Sequence, residues 1–494
     1  MRHLPQALRR YPLVAPLTCL GVIAFVLVAL PYAYLSYDEV IALARGRVLL
    51  HGSIPGLGSP STSHPLTLAA ATVLALLRPS PAYLTYTAVY IAAFLLLLYA
   101  VYRLAKTLGG TACGLLAVAL IFTRWRLVAD GAQAIKDVPY AAFLLLGLAL
   151  ILEDRRRNRL SALGFLAVAG LIRPEAWLFS LAYAVWLLHD RGWSNALGER
   201  GWSIATLALA IAAPTIWLLQ NTTLIGDTLY NARGNGLSVH AVQSPAVVAK
   251  GGFESQLRDS VSKGLFDALG IPIILIGGFT ATWVIATVRR APEQVRRRAH
   301  GLTILVIACL CLFGLYVAEA LHGHSLVARY LLVPALGMLS CAAVAPVFAR
   351  NSPLAIVALV AATLAILIGL PSDIARLQQR LGTFSDRQRD ARSLISLAQR
   401  PQISAAISKC QTIVFVPKGS HYLSTEEDYP PIAHVALALG RDPNSIQVYP
   451  NRRLHPGMSA FETRGGWRLR GKSAFKTSKG PWIFESACSA KPRS

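Results

Sequence analysis

Asp38 and Glu39 are adjacent carboxylates a few residues past the first long apolar run of the chain, Val14 to Leu35. Neighbouring residues on a helix point about 100° apart, so the two can do different jobs. One could act as general base toward an acceptor hydroxyl. The other could hold a divalent cation or orient the first. The bland reading of the same pair is a helix N-terminus, where acidic side chains cap backbone N–H groups and meet a favourable dipole.

A second group is basic: Lys136, Arg173 and Arg329, each at the end of an apolar segment. A guanidinium binds phosphate oxygens through two parallel hydrogen bonds and does not deprotonate. The competing reading is snorkelling to the interface, or pairing with Glu175, Glu319 or Asp137. Gly52, Pro55, Gly56, Gly58 and Pro60 break the chain before Ser63-His64-Pro65-Leu66. His322 and His324 are two residues apart and could ligate metal, although ordinary surface histidines are commoner. Asn221-Thr222-Thr223 fits a glycosylation sequon but abuts an apolar run.

These residues must be positioned by membrane helices. A span takes about 20 apolar residues. The apolar runs read as about eleven spans, beginning near Val14, Pro81, Gly110, Lys136, Leu160, Pro174, Trp202, Ala268, Gly301, Leu326 and Pro353. The first is longer than the roughly 7–15 residues of a signal-peptide core, so it reads as an uncleaved helix. Alternate loops carry Arg103 and Lys106, Arg155 to Arg159, Arg191 and Arg200, Arg289 to Arg298, and Arg350. That is the positive-inside pattern, and it places the N-terminus in the cytoplasm and Asp38-Glu39 outside. The polar tail after Leu370 then falls outside as well. Thr412 to Val416 and Ile446 to Tyr449 read as strands, with a helix at Ile432 to Leu439 between them. Cys410 and Cys488 bracket this tail, and a disulfide is expected in an oxidising compartment, two unpaired thiols being the alternative. The fold class expected is an α-helical polytopic membrane protein (residues 1–371) with a small extracytoplasmic α/β domain (residues 372–494).

Composition agrees with this class. Of 494 residues, 54% are hydrophobic and 15% are charged, against about 25% charged in soluble domains. The net charge of +24 is spread over short loops and the tail, with no basic stripe interleaved with aromatics, which excludes nucleic acid as the expected partner. Membrane lipids with anionic or phosphorylated headgroups are the expected partners. None of the 24 Asp and Glu falls near the middle of a span, where a transporter or proton relay usually keeps ionisable groups. An enzyme working at the outer surface is therefore the first reading. A polytopic transporter or lipid flippase is the alternative, and a non-catalytic assembly protein whose tail binds cell-wall polymer is the third.

The chain resembles the GT-C superfamily of integral-membrane glycosyltransferases, in its bacterial branch of protein O-mannosyltransferase-like and aminoarabinose transferase-like enzymes. The resemblance rests on Tyr37-Asp38-Glu39, Ser63-His64-Pro65-Leu66, Lys136-Asp137-Val138-Pro139-Tyr140, Arg173-Pro174-Glu175, Gly226-Asp227-Thr228-Leu229-Tyr230 and Ala328-Arg329-Tyr330-Leu331, in the family's order over residues 10–370. It implies a multi-pass protein of the cytoplasmic membrane that takes a polyprenyl-phosphate-linked sugar as donor and an extracytoplasmic hydroxyl as acceptor. Asp38 would be the catalytic acid–base residue and Glu39 its companion, with a divalent metal as a possible cofactor between them. Arg329, and then Arg173 or Lys136, would bind the donor phosphate. His64, Tyr330 and Asp137 would belong to the substrate loops, with His64 standing where some relatives have lysine before proline. The Gly- and Ser-rich stretch from Asn221 to Phe266 would move over the site.

Overall fold

The structure, a computed structural model, describes residues 31–55, 64–190, 200–228, 253–287, 293–321, 328–349, 353–410, 412–416, 431–448, 458–463 and 473–488. The expected span from Val14, the His322–His324 loop and the centre of the Asn221–Phe266 stretch lie outside these residues.

After strand β1 (Tyr34–Leu35) come α1 (Tyr37–Leu50) and α2 (Pro65–Leu74). Their backbones nearly touch: a Cβ on Gly46 would lie 2.7 Å from Thr72 N and 2.8 Å from Ala71 C. Backbone atoms cannot swing aside as a side chain can, so glycine is required at this crossing. Helix α3 (Pro79–Gly109) starts with proline at its first turn, where the missing N–H costs nothing. It is followed by α4 (Thr111–Phe122) and α5 (Trp125–Ala132), which meet at an 80° bend. Arg124 holds the bend by pairing with Asp373 at 2.8 Å and donating to Leu269 O at 3.3 Å.

Strand β2 (Gln133–Ala134) then leads to α6 (Asp137–Glu153), α7 (Arg159–Ile172), α8 (Ala176–Asp190) and α9 (Arg200–Ile225). Next are α10 (Phe253–Val261), α11 (Asp267–Thr287), α12 (Glu293–Leu321), α13 (Leu332–Ala349) and α14 (Pro353–Ala398). Among the described residues six helices are long and apolar enough to cross a membrane, or seven if the bent pair α4–α5 is one span. The chain is an integral membrane protein. About eleven spans are expected from the sequence, the first of them outside the described residues. The segments expected to begin near Lys136, Leu160 and Pro174 form helices of only 17, 14 and 15 residues. In α6 every residue from Leu144 to Leu150 is buried, as in a helix surrounded by other helices rather than by lipid.

The tail carries α15 (Pro401–Lys409), α16 (Pro431–Leu439) and a five-stranded sheet in the order β4-β3-β5-β7-β6. Its strands are β3 (Thr412–Val416), β4 (Ile446–Val448), β5 (Met458–Thr463), β6 (Phe475–Lys479) and β7 (Trp482–Ser486). β3 runs parallel to both β4 and β5, and the β6–β7 hairpin closes antiparallel onto β5. Cys410, just before β3, and Cys488, just after β7, form a disulfide. Two features modify the expected layout. The boundary at 371/372 falls inside α14, which continues through Pro371 to Ala398. The sheet also shares one buried cluster with the start of the chain, in which Leu35, Val40, Ile41 and Leu43 pack with Ala436, Leu437, Ile446 and Phe461. The tail thus braces α1.

Candidate active site

The site is assembled by a two-residue parallel ladder. Tyr34 pairs with Gln133 and Leu35 with Ala134, and Ser36 N donates to Ala134 O at 3.2 Å. One chain turns from this ladder into α1 and the other into α6. The first turn of α1 therefore faces Lys136 and Asp137 at the head of α6.

Ser36-Tyr37-Asp38-Glu39 has the spacing of a capping box, in which the glutamate would reach back to the serine N–H. The ladder already uses that N–H, and Ser36 makes no side-chain cap. Glu39 turns inward instead. Its Oε1 accepts from Lys136 N at 2.9 Å and from the Tyr90 hydroxyl at 3.4 Å, and its Oε2 accepts from Ser36 Oγ. Glu39 is 1% exposed. Burial, and then the neighbouring Asp38 charge, push its carboxyl up to about 7. Glu39 is thus a clamp joining the two chains of the ladder.

Asp38 has different partners. Its Oδ2 lies 3.0 Å from Lys136 Nζ and 3.3 Å from Arg329 Nη2. Burial alone would raise its pKa, but Lys136 and Arg329 outweigh burial and hold the carboxyl far below the usual carboxylate range. Arg329 comes from the 3-10 turn Ala328–Leu331 and also reaches Asp137 Oδ2 through Nε at 3.5 Å.

Behind this front row Arg173 is fully committed. Its Nη1 pairs with Asp137 Oδ1, and its Nη2 lies 3.1 Å from Glu175 Oε1. The guanidinium also sits 4.0 Å from the Tyr330 ring centroid, with Tyr140 and Tyr316 at 5.5 and 5.9 Å. Of the three cations expected at the donor phosphate, Lys136 and Arg329 face Asp38, while Arg173 takes the pairing alternative with Asp137 and Glu175. Tyr330 supports Arg173 with its face. The aromatic cage and the Tyr90 contact are features that the sequence reading lacked.

His64 is the N-cap of α2, only 7% exposed, with its ring edge-to-face on Trp217 at 5.3 Å. Burial, and then the Lys136 charge, hold its pKa well below the ordinary histidine value. It forms a packed wall of the site rather than an exposed loop side chain. Asn221, of the sequon, is 4% exposed and donates to Thr228 O at 3.2 Å, capping the end of α9.

A divalent cation between Asp38 and Glu39 fits these residues poorly. Asp38 Oδ2 already has two cationic neighbours, and both Glu39 oxygens accept protein hydrogen bonds. Among the described residues no group of three or more His, Cys, Asp or Glu could hold a metal ion.

No family model and no curated protein sequence matches the chain. Solved structures do match. ArnT from Cupriavidus metallidurans bound to undecaprenyl phosphate superposes with a TM-score of 0.52 at 13% identity, over 95% of this chain and 97% of that one. The same enzyme in the apo state gives 0.50 at 13% identity, over 97% and 100%. The Archaeoglobus fulgidus oligosaccharyltransferase in the apo form gives 0.45 at 10% identity, over 87% and 64%. The likeness to ArnT covers nearly the whole of both chains and is one of overall fold.

Proposed function

We propose that the chain is a glycosyltransferase that moves a sugar from a polyprenyl-phosphate donor to an acceptor hydroxyl at the extracytoplasmic face of the cytoplasmic membrane, with Asp38 as its base. The observation that carries this reading is the convergence of Lys136 and Arg329 on one Asp38 oxygen at the head of α1. The arginine-rich alternate loops support the orientation, and the Cys410–Cys488 disulfide fits an oxidising compartment. The undecaprenyl phosphate bound by ArnT supports the donor class.

The acceptor hydroxyl gives its proton to Asp38 as its oxygen attacks the anomeric carbon. The bond from that carbon to the phosphate oxygen breaks, its electron pair leaves with the polyprenyl phosphate, and the anomeric configuration inverts. Lys136 and Arg329 stabilise the charge that grows on the leaving phosphate. The same two cations make Asp38 a weak base while they rest on it. A donor phosphate between them would draw them away from the carboxylate and restore its basicity only when donor is present. Arg173 and Glu39 act behind this front row by fixing Asp137 and Lys136.

Transfer from radiolabelled polyprenyl-phosphate sugars, in membranes holding wild type or Asp38→Asn at equal expression, tests the reading. The variant should transfer at least about a hundredfold more slowly, within the range for losing an acid–base group. Equal rates in the two membranes would remove Asp38 from the chemistry.

A further inference from the structure

A second polar cavity lies away from Asp38, between the first turns of α3, the polar half of α14 and the β6–β7 turn. It encloses about 570 Å³ and shares no lining residue with the Asp38 network. Ser385, Arg389, Arg392, Ser393 and Ser396 all line it, and their spacing of four, three, one and three residues places them along one face of α14. Lys479 of β6 also lines it and donates to Ser396 Oγ.

No aspartate or glutamate lines the cavity. Arg389 has a carboxylate neighbour, Asp386 at 3.4 Å, but both side chains are over 70% exposed, at 72% and 71%. Solvent screening leaves such a pair with little hold on the arginine. Arg392 makes no ion pair among the described residues. The cavity therefore presents three cations and a row of hydroxyl donors with no internal counter-charge.

Part of its lining is apolar. Leu84 lines it and is 46% exposed in the first turns of α3, a helix long and apolar enough to span the bilayer. An exposed apolar residue at the start of a span, beside three cations, matches an amphiphile with its headgroup on the cations and its chain in the membrane. Guanidinium and hydroxyl donors together suit phosphate oxygens. We propose that this cavity binds the phosphate of an anionic ligand at the membrane surface, as a site separate from the Asp38 centre. The inference needs only the cavity and holds whether or not the chain transfers sugar.

Behind the cavity, the Tyr83 wall accepts a hydrogen bond from Leu35 N at 3.1 Å, and Leu35 belongs to the ladder that sets Asp38. A ligand here would sit one side chain from the ladder.

Native mass spectrometry of the purified full-length chain tests the site with dioctanoyl phosphatidylglycerol, dioctanoyl phosphatidylcholine and inorganic phosphate as probes. Wild type should retain the anionic lipid at least about tenfold better than the zwitterionic one. The double variant Arg392→Gln, Lys479→Gln should lose about thirtyfold in that affinity, as expected for two surface cations. Arg157→Gln, on a loop at the other end of the bundle, should lose nothing, and Arg392→Lys should keep most of the binding because charge is kept. Displacement of the lipid by inorganic phosphate would identify the headgroup as sufficient. Lipid retained against phosphate would identify the membrane amphiphile as the ligand. Equal retention of the two lipids, or a folded double variant that binds like wild type, would overturn the proposal.

Discussion

Helix α6 carries an acidic residue at each end, and the two ends behave differently. At its tail Glu153 meets Arg103 in two parallel bonds of 2.7 and 2.9 Å, and Asn158 Nδ2 donates to it at 2.9 Å. One cation serves one carboxylate, both partly open to solvent at 27% and 15% exposure. At its head Asp137 is 1% exposed and shared between Arg173 and Arg329, while Arg329 is shared in turn with Asp38, and Asp38 with Lys136. The tail is a finished pair. The head is a chain of shared charges, and charge in a water-poor site acts more strongly than at the surface.

Breaking the two ends should separate them. Arg173→Leu leaves Glu175 buried without its cation and Asp137 with Arg329 alone, and should cost about 3–5 kcal/mol of stability. Arg103→Leu, at the half-open tail, should cost about 1 kcal/mol. Thermal unfolding in one detergent compares them directly.

The front row should show a different loss. Arg329→Gln should slow transfer by about 10²–10³, the usual consequence of removing one preorganised charge donor. Its unfolding temperature should stay near that of wild type. A variant that unfolds instead would move Arg329 into the scaffold with Arg173.

Glu39 adds a pH signature. Its folded pKa is raised from 4.5 to about 7, so between these values the folded state holds a proton that the unfolded state has released. Stability from this group is therefore full below about pH 4.5, falls as pH rises, and levels off above about pH 7. Glu39→Gln should flatten that slope in unfolding scans taken across the window. The smallest change belongs to the tail end: Arg159→Gln, whose partners Asp154 and Asp190 are 66% and 40% exposed, should cost under about 1 kcal/mol, and less in high salt.

Much of this arrangement is legible in the sequence where the signal is local. The strand at Thr412–Val416 appears at its expected bounds, and the helix expected at Ile432 starts one residue earlier, at Pro431. Asp137 and Glu175 are also visible as partners for Arg173 from charge alone. What escapes is long-range or very short. The β1–β2 ladder joins Tyr34 to Gln133 through two residues on each side, and Tyr34-Leu35 lies at the end of an apolar run that reads only as helix. Without the ladder, nothing local tells Asp38 from Glu39, so the cation-paired carboxylate and the buried clamp look alike. Tyr90 and Tyr316 sit in apolar runs as ordinary interfacial aromatics, and their roles exist only once the helices pack. The 80° bend between α4 and α5 likewise depends on Arg124 reaching Asp373 and Leu269, far along the chain.

The central claim is that the Asp38 carboxylate and the donor phosphate compete for Lys136 and Arg329. The direct test is the affinity of the purified chain for undecaprenyl phosphate in three forms: wild type, Asp38→Asn and Lys136→Gln. Removing the competing carboxylate should tighten binding by at least about fivefold, or roughly 1 kcal/mol, and removing the lysine should weaken it by a similar factor. Asp38→Asn binding no more tightly than wild type, with Lys136→Gln unchanged, would contradict the account.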